Sequence, residues 1–288
     1  MRKEMKMRYR MIFLDLDGTA LTSEKRITPR TAHLVQHLDA HGIPVVISTG
    51  RAIFAVREFL RDVRLGSPVV TLNGAVVFSH LYGAPAEYHP IPWAWLQEFF
   101  RVVQKSGRLQ NLLFESIHGY YVLTYDHEIF ETFTDYRNLP PKLISLDKPV
   151  SDPVTNLLLR PRRIPEDKEL LYRELNAAMD GRIRFFKTSW EWIEGVRYGV
   201  NKGAAMERLA LTYGIPLDSV VALGDEWNDV EMIQKAGLGV AMGNAVDAVK
   251  AVADFVAPSN DEEGAARALE EIFHDFLVET GYVPLLAP

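Results

Sequence analysis

The chain has 288 residues, 48% hydrophobic and 24% charged, with a net charge of −6 and no cysteine. That is an ordinary globular composition at nearly twice the usual domain length of about 150, so one large or two modest domains with ample core are expected, and no long disordered region. The missing cysteines exclude disulfides, thiolate metal sites and a cysteine nucleophile and fit a cytoplasmic location, while the negative charge excludes a global field for nucleic acid or an anionic membrane; the expected partner is a small molecule.

The basic start at residues 1–10 leads into only four apolar residues before Asp15, too few for a signal peptide. No run of about 20 apolar residues follows elsewhere, and the first eight or so residues are expected to form a solvated tail. Residues 11–14 are apolar at every position and too few for a helix, as expected of a parallel strand covered on both faces. The strand runs into Asp15-Leu16-Asp17-Gly18-Thr19. Two acids spaced by two point to the same side of a continuing strand, and Gly18 lets the backbone turn close to a ligand. Two like charges held together call for a cation, although Asp and Gly also end strands as plain turn formers. A calcium loop is excluded, because its fifth position would be Thr19 and its twelfth Arg26.

Thr28 and Pro29 predict a helix start, with Leu34, Val35 and Leu38 on its apolar side and Gly42 at its end. A second buried strand at 43–47 stops at Ser48-Thr49-Gly50-Arg51, before a helix starting near Ala52. Thr49 is either the cap of that helix or part of a site; both readings place its hydroxyl beside backbone N–H groups, where an anion binds. A third strand at 68–72 ends in Asn73-Gly74. Three strands ending in small polar residues predict a doubly wound parallel sheet.

From Ala75 the pattern changes to a hairpin through Tyr82-Gly83 and 87–91. An α+β domain is then expected over 84–189, inserted into a core made of 1–83 and 190–288. Its predicted helices are 92–106, 127–139 and 165–179, and its strands 109–115, 120–124, 154–159 and 182–187. The core resumes at Val200, with Asn201 capping a helix that carries Met206, Leu209, Ala210 and Tyr213 and ends at Gly214. Lys202 then lies in a first helical turn, where the dipole disfavours it by some tenths of a kcal/mol; an exposed surface charge is its commoner fate. A fourth strand at 219–223 ends in Gly224-Asp225-Glu226-Trp227-Asn228-Asp229, before a helix at 230–236. An acidic helix start accounts for Asp229 but not for Asp225. Two short strands, 238–241 and 255–257, flank a helix capped by Asn244, and a helix at 264–276 closes the chain. Gly237, Gly239 and Gly243 do not form a dinucleotide fingerprint, since they follow a helix and the third glycine comes one place late.

The four strand-end motifs, in this order and spacing, resemble the haloacid dehalogenase superfamily, and the whole chain resembles its Cof-type phosphatases, with a cap inserted between the second and third motifs. Asn73-Gly74-Ala75, Glu194 and Asn260-Asp261-Glu262 also resemble that family's pattern. The resemblance implies that Asp15 is the nucleophile, forming an aspartyl-phosphate, and that Asp17 protonates the leaving oxygen and then activates water. It implies Mg2+ held by Asp15, the Asp17 carbonyl and Asp225, with Asp229 holding either Lys202 or a metal-bound water. Phosphate would meet Thr49, Gly50, Arg51, Asn73, Gly74, Lys202 and Asn228. Carboxylate is an established phosphoryl acceptor, and Mg2+ favours oxygen ligands. The family often has a proline where this chain has Val196 or Arg197, and the cap is rich in aromatics such as Trp93, Trp95, Tyr120 and Tyr121. The expectation is a monomeric or weakly dimeric phosphatase of small phosphorylated metabolites, sugar phosphates foremost, its cap acting as a lid with His118 and Arg184 as positions to test. The alternatives are a phosphomutase and a non-catalytic binding protein of the same fold.

Overall fold

The computed structural model describes residues 7–127, 141–145, 152–162, 164–187 and 192–285. The chain divides into two compact units, one of Met1–Ala86 with Asn201–Pro288 and one of Glu87–Val200.

The first unit is built on β1 (Met11–Leu14), β2 (Val45–Ser48), β3 (Val69–Thr71), β4 (Val76–Phe78), β12 (Val220–Gly224), β13 (Leu238–Ala241) and β14 (Phe255–Val256). The sheet order is β14-β13-β12-β1-β2-β3-β4, extended at its edge by β5 (Pro85–Tyr88), where the chain leaves for the second unit. All neighbours from β14 to β3 pair in parallel, and β4 is antiparallel to β3. β1 is central, with β2 on one side and β12 on the other, so chain order reverses across it. The carboxyl ends of the strands around such a reversal are where ligands bind in open α/β sheets. Met11, Ile12, Phe13 and Leu14 are all fully buried, which is why the strand reads as a continuous apolar run.

The first helix, α1 (Pro29–Ala40), is capped by Thr28, whose hydroxyl accepts from the Thr31 N–H at 3.2 Å. The helix α2 (Ile53–Phe59) starts after Ala52 without a side-chain cap, so Thr49 does not serve as its cap. Instead the Thr49 hydroxyl accepts from the Arg51 N–H at 3.1 Å, closing a turn at the end of β2. Between β3 and β4 the chain turns through Leu72, Asn73 and Gly74, all at positive φ (50°, 54° and 95°). A Cβ on Gly74 would lie 2.4 Å from the Asn201 carbonyl oxygen, so this strained turn also packs tightly against the start of a helix.

The second unit holds α3 (Trp93–Ser106), β6 (Leu109–Ser116), β7 (Gly119–Val122), β8 (Lys142–Leu143), β9 (Asn156–Pro161), α4 (Pro165–Ala178), β10 (Ile183–Lys187) and β11 (Ile193–Arg197). Its sheet runs β10-β11-β9-β6-β7-β8, antiparallel except between β7 and β8. The core joins Leu96, Phe99 and Phe100 of α3 and Leu171 and Leu175 of α4 to Leu112, Phe114, Leu157, Leu159, Phe185 and Ile193, so both helices cover one sheet face. On alternate strand positions Glu115, Asn156 and Glu194 form a buried cluster, with the Asn156 amide 2.6 Å and 3.0 Å from the two carboxylates.

The sequence reading began the resumed core at residue 190, but β11 pairs with both β9 and β10 and belongs to the second unit's sheet. Gly195 fits there because the Phe185 ring lies across it; an added Cβ would meet that ring at 2.6 Å. The chain crosses back at Val200 and Asn201. The helix expected at 127–139 lies outside the described residues, apart from His127. His118 and Arg184 are both exposed.

Back in the first unit, α5 (Lys202–Thr212) is capped by Asn201, which accepts from the Ala204 N–H at 2.7 Å. The helix α6 (Val230–Lys235) follows β12. The short helix α7 (Asp247–Lys250) begins after Val246 and not at Asn244, whose side chain is engaged elsewhere. The single closing helix expected at 264–276 is two, α8 (Gly264–Ile272) and α9 (His274–Glu279), broken at the buried Phe273. No described helix is long and apolar enough to cross a membrane.

Because Asn201 closes the turn that carries Lys202, Asn201→Ala is expected to cost about 1 kcal/mol of stability and Asn201→Asp only a fraction of that, read as a shift in denaturant midpoint.

Candidate active site

The site gathers at the carboxyl ends of β1 and β12. The register sets Leu14 opposite Leu223, and the Asp15 N–H donates to the Leu223 carbonyl at 3.1 Å, so Asp15 and Asp225 leave neighbouring strands side by side. Lys202 enters from the first turn of α5 and is only 1% exposed. Its ammonium donates to Asp15 Oδ1 and to Asp229 Oδ1, each at 2.6 Å. The other oxygen of Asp229 accepts the backbone N–H groups of Asp225 (3.0 Å) and Glu226 (3.1 Å). Asp229 thus spends both oxygens on orienting Lys202 and fixing the turn that presents Asp225.

Asp15, Asp225 and Asp229 each bring a carboxylate oxygen within 4.8 Å of the others. One ammonium cannot balance three carboxylates, two buried and one half-buried, and the proton affinities show it. Burial, and then repulsion from Asp229 and Asp225 against the attraction of Lys202, raises the Asp15 carboxyl well above its usual range. Burial and the Asp229 charge push Asp225 up to about 7. Burial alone would lower Lys202, but the charges of Asp15 and Asp229 outweigh it and hold the ammonium firmly protonated. An all-oxygen donor set with excess negative charge fits a hard divalent cation. Gly18 is required beside it: at φ 74°, an added Cβ would lie 2.1 Å from Asp225 Oδ2.

The Asp17 carboxylate does not join this cluster. Arg51 grips it with Nε at 2.5 Å and Nη2 at 2.7 Å, and Lys25 adds a contact at 2.7 Å. Burial would raise Asp17, but the hydrogen bonds and charges of Arg51 and Lys25 win and hold it below the usual carboxylate range. Thr49 is buried; its N–H donates to the Val70 carbonyl at 2.9 Å and its carbonyl accepts from the Asn73 N–H at 3.1 Å. The Asn73 side-chain oxygen lies 3.1 Å from where a Cβ on Gly50 would stand and accepts the Asn228 amide at 2.9 Å. Thr49, Gly50, Asn73, Gly74 and Asn228 therefore form one connected wall, which Arg51 joins through its carbonyl, 3.1 Å from the Leu72 N–H.

Three contributors escaped the sequence reading as participants. Thr19, read only as part of the first motif, donates to Asp225 Oδ1 at 2.9 Å; Lys25 holds Asp17; and Asn244 reaches the Gly18 carbonyl at 2.8 Å. Thr19 and Asn244 meet partners 206 and 226 residues away along the chain, which no local pattern reveals.

A doubly wound sheet with a lysine-bridged acid cluster at its switch point is a place where a cation and an anionic ligand can bind together. Residues 12–269 match the haloacid dehalogenase-like hydrolase family, and the chain belongs to it, as a Cof-type member. It is 32% identical over 266 residues to the 5-amino-6-(5-phospho-D-ribitylamino)uracil phosphatase YitU of Bacillus subtilis, an alignment covering 91% of this chain and 97% of that one. It is 28% identical over 276 residues to the pyridoxal phosphate phosphatase YbhA of Escherichia coli, covering 90% and 96%. A solved haloacid dehalogenase-like hydrolase from Bacteroides thetaiotaomicron superposes with a TM-score of 0.80 at 25% identity, over 92% of this chain and all of that one. The protein is a phosphoric monoester hydrolase.

The raised Asp225 gives a signed pH dependence. Without metal the folded state keeps this proton to about pH 7 while the unfolded chain loses it near pH 4, so this group's stabilisation is lost as pH rises between those values. A cation must displace the proton below pH 7. The dissociation constant of a divalent cation bound there is therefore expected to be about tenfold weaker at pH 6 than at pH 8, and calorimetric titration checks it.

Proposed function

We propose that the protein hydrolyses small phosphorylated metabolites, sugar phosphates among them, through a phosphoryl group carried on Asp15, with Mg2+ as its metal. The observation that carries this reading is the buried Lys202 bridge, which fixes a carboxylate oxygen at a strand end beside a cation-seeking acid pair. Asp15 and Asp225 would hold the ion together with the Asp17 carbonyl. When bound, it would neutralise charge on the transferring phosphoryl group.

In the first half-reaction an Asp15 oxygen bonds to phosphorus as the bond to the leaving oxygen breaks, and Asp17 gives that oxygen a proton. In the second, water attacks phosphorus, Asp17 takes its proton, and the bond to Asp15 breaks to release phosphate. Asp17 is held ionised by Arg51, so the first half-reaction requires that grip to loosen. A phosphate is itself a bidentate guanidinium partner and would draw Arg51 toward it. Thr49, Lys202 and the backbone around Gly50 and Asn73 would take the remaining oxygens. YitU and YbhA, by their names, act on a phosphoribityl compound and on pyridoxal phosphate, which supports small phosphorylated substrates without choosing among them.

Asp15→Asn is expected to abolish turnover, to below a thousandth of wild type, while the protein stays folded but melts lower without metal, because Lys202 keeps Asp229 and loses its second carboxylate. Retention of a tenth of the rate would overturn the assignment. In a single turnover in 18O-water with excess enzyme, phosphate is expected to leave with one 18O; isomerisation of a sugar phosphate without phosphate release would show a mutase instead.

A further inference from the structure

We propose that Asn244, in the turn after β13, is a positioning residue for the metal site, setting the Gly18 backbone and the Asp225 carboxylate in place before any ion arrives; this rests on the reading of the acid cluster as a cation site. Its side-chain nitrogen donates to the Gly18 carbonyl at 2.8 Å and lies 3.4 Å from Asp225 Oδ2. Its side-chain oxygen accepts the Asn260 N–H at 3.0 Å. The amide can face only this way, because a flip would set its oxygen against a carbonyl and a carboxylate and its nitrogen against an N–H.

Asp225 is thereby held on three sides. Thr19 occupies Oδ1 at 2.9 Å, Asn244 stands by Oδ2, and the Asp225 carbonyl takes the Val246 N–H at 2.9 Å from the same turn that carries Asn244. Gly18 packs directly on Asp225 Oδ2, so the place of that carboxylate and the path of the backbone at residue 18 are one constraint. Asn244 is the side chain that touches both halves of it. Two neighbouring contacts serve a different end: the Asn260 amide donates to the Leu21 carbonyl at 2.9 Å, and Asp261 accepts the Ser23 N–H at 2.7 Å and hydroxyl at 2.6 Å. These secure the far part of the loop after β1 and reach neither Gly18 nor Asp225.

Side chains that orient metal ligands are typically worth ten- to hundredfold in affinity. Asn244 is exposed, so its removal leaves no cavity. Calorimetric titration of the full chain with Mg2+ alone, without substrate, is the test. Asn244→Ala and Asn244→Ser are expected to weaken Mg2+ binding about tenfold with little change in metal-free melting temperature. Asn260→Ala, which keeps the N–H that orients Asn244, is expected to lower the melting temperature while binding Mg2+ within twofold of wild type. Wild-type affinity in both Asn244 variants, or an equal loss in Asn260→Ala, would overturn the proposal by reducing Asn244 to general loop support. Because substrate is absent, a wild-type protein that binds Mg2+ yet releases no phosphate from any monoester would defeat the phosphatase reading and leave this result standing.

Discussion

Everything at the strand ends depends on the burial of one ammonium between two carboxylates. Lys202 and Asp229 are 1% and 0% exposed, and Asp15 little more. Taking these charges out of water is costly, and the contacts at 2.6 Å recover the cost only while all partners are present. Removing one partner from such a cluster typically costs about 3–5 kcal/mol, because it strands the others. The arrangement is therefore weak as a source of net stability and strong as a source of geometry. A lysine at the start of a helix opposes the dipole, and only the two carboxylates waiting there make the position tolerable. Folding itself thus places the Asp15 oxygen.

Backbone geometry supports that placement at positions where no other residue fits. Gly224 ends β12 so close to Asp229 that a Cβ would stand 2.5 Å from the Asp229 side chain. Leu72 and Asn73 accept left-handed conformations that cost about 1–3 kcal/mol each, and the strain persists because Asn73 is tied to Thr49 through its N–H and to Asn228 through its side chain. Strain in the turn, the wall around Thr49 and the start of α5 form one continuous piece through the contact of Gly74 with Asn201. The lysine and the wall are consequently not independent parts.

What the sequence revealed and what it hid divide along a physical line. Continuous apolar runs ending in Asp, Thr-Gly, Asn-Gly and Gly-Asp mark buried parallel strands and their polar ends, because burial on both faces leaves no other composition possible. Thr28 and Asn201 were legible as caps for a similarly local reason. The edge of the inserted unit was misplaced because β11 carries a glycine and a glutamate among its apolar residues, and only its pairing with β9 and β10 tells it from a connecting loop. Asn244 was read as a cap, which is what asparagine most often does before a helix; its actual partners, Gly18 and Asn260, come from segments that sequence separates and the fold joins. Phe273 breaks the last helix without a proline or glycine to announce it.

The charges on either side of residue 16 are sorted by sign. Around Asp15 three carboxylates face one ammonium, leaving an excess of negative charge that raises two of the acids. Around Asp17 one carboxylate faces a guanidinium and an ammonium, leaving an excess of positive charge that lowers it. A phosphate monoester with a divalent cation is the ligand that complements both excesses at once, the cation answering the first cluster and the phosphate the second. Lys25 is half exposed, so water screens its share, and the weight of the second cluster falls on Arg51, which is largely buried and backed by the Phe59 ring at 4.6 Å. Two acids separated only by Leu16 thus place opposite electrostatic demands at one strand end. A dianion and a dication arriving together would satisfy them, whereas either alone would leave one cluster unbalanced, so this charge layout favours binding the two together over binding either alone.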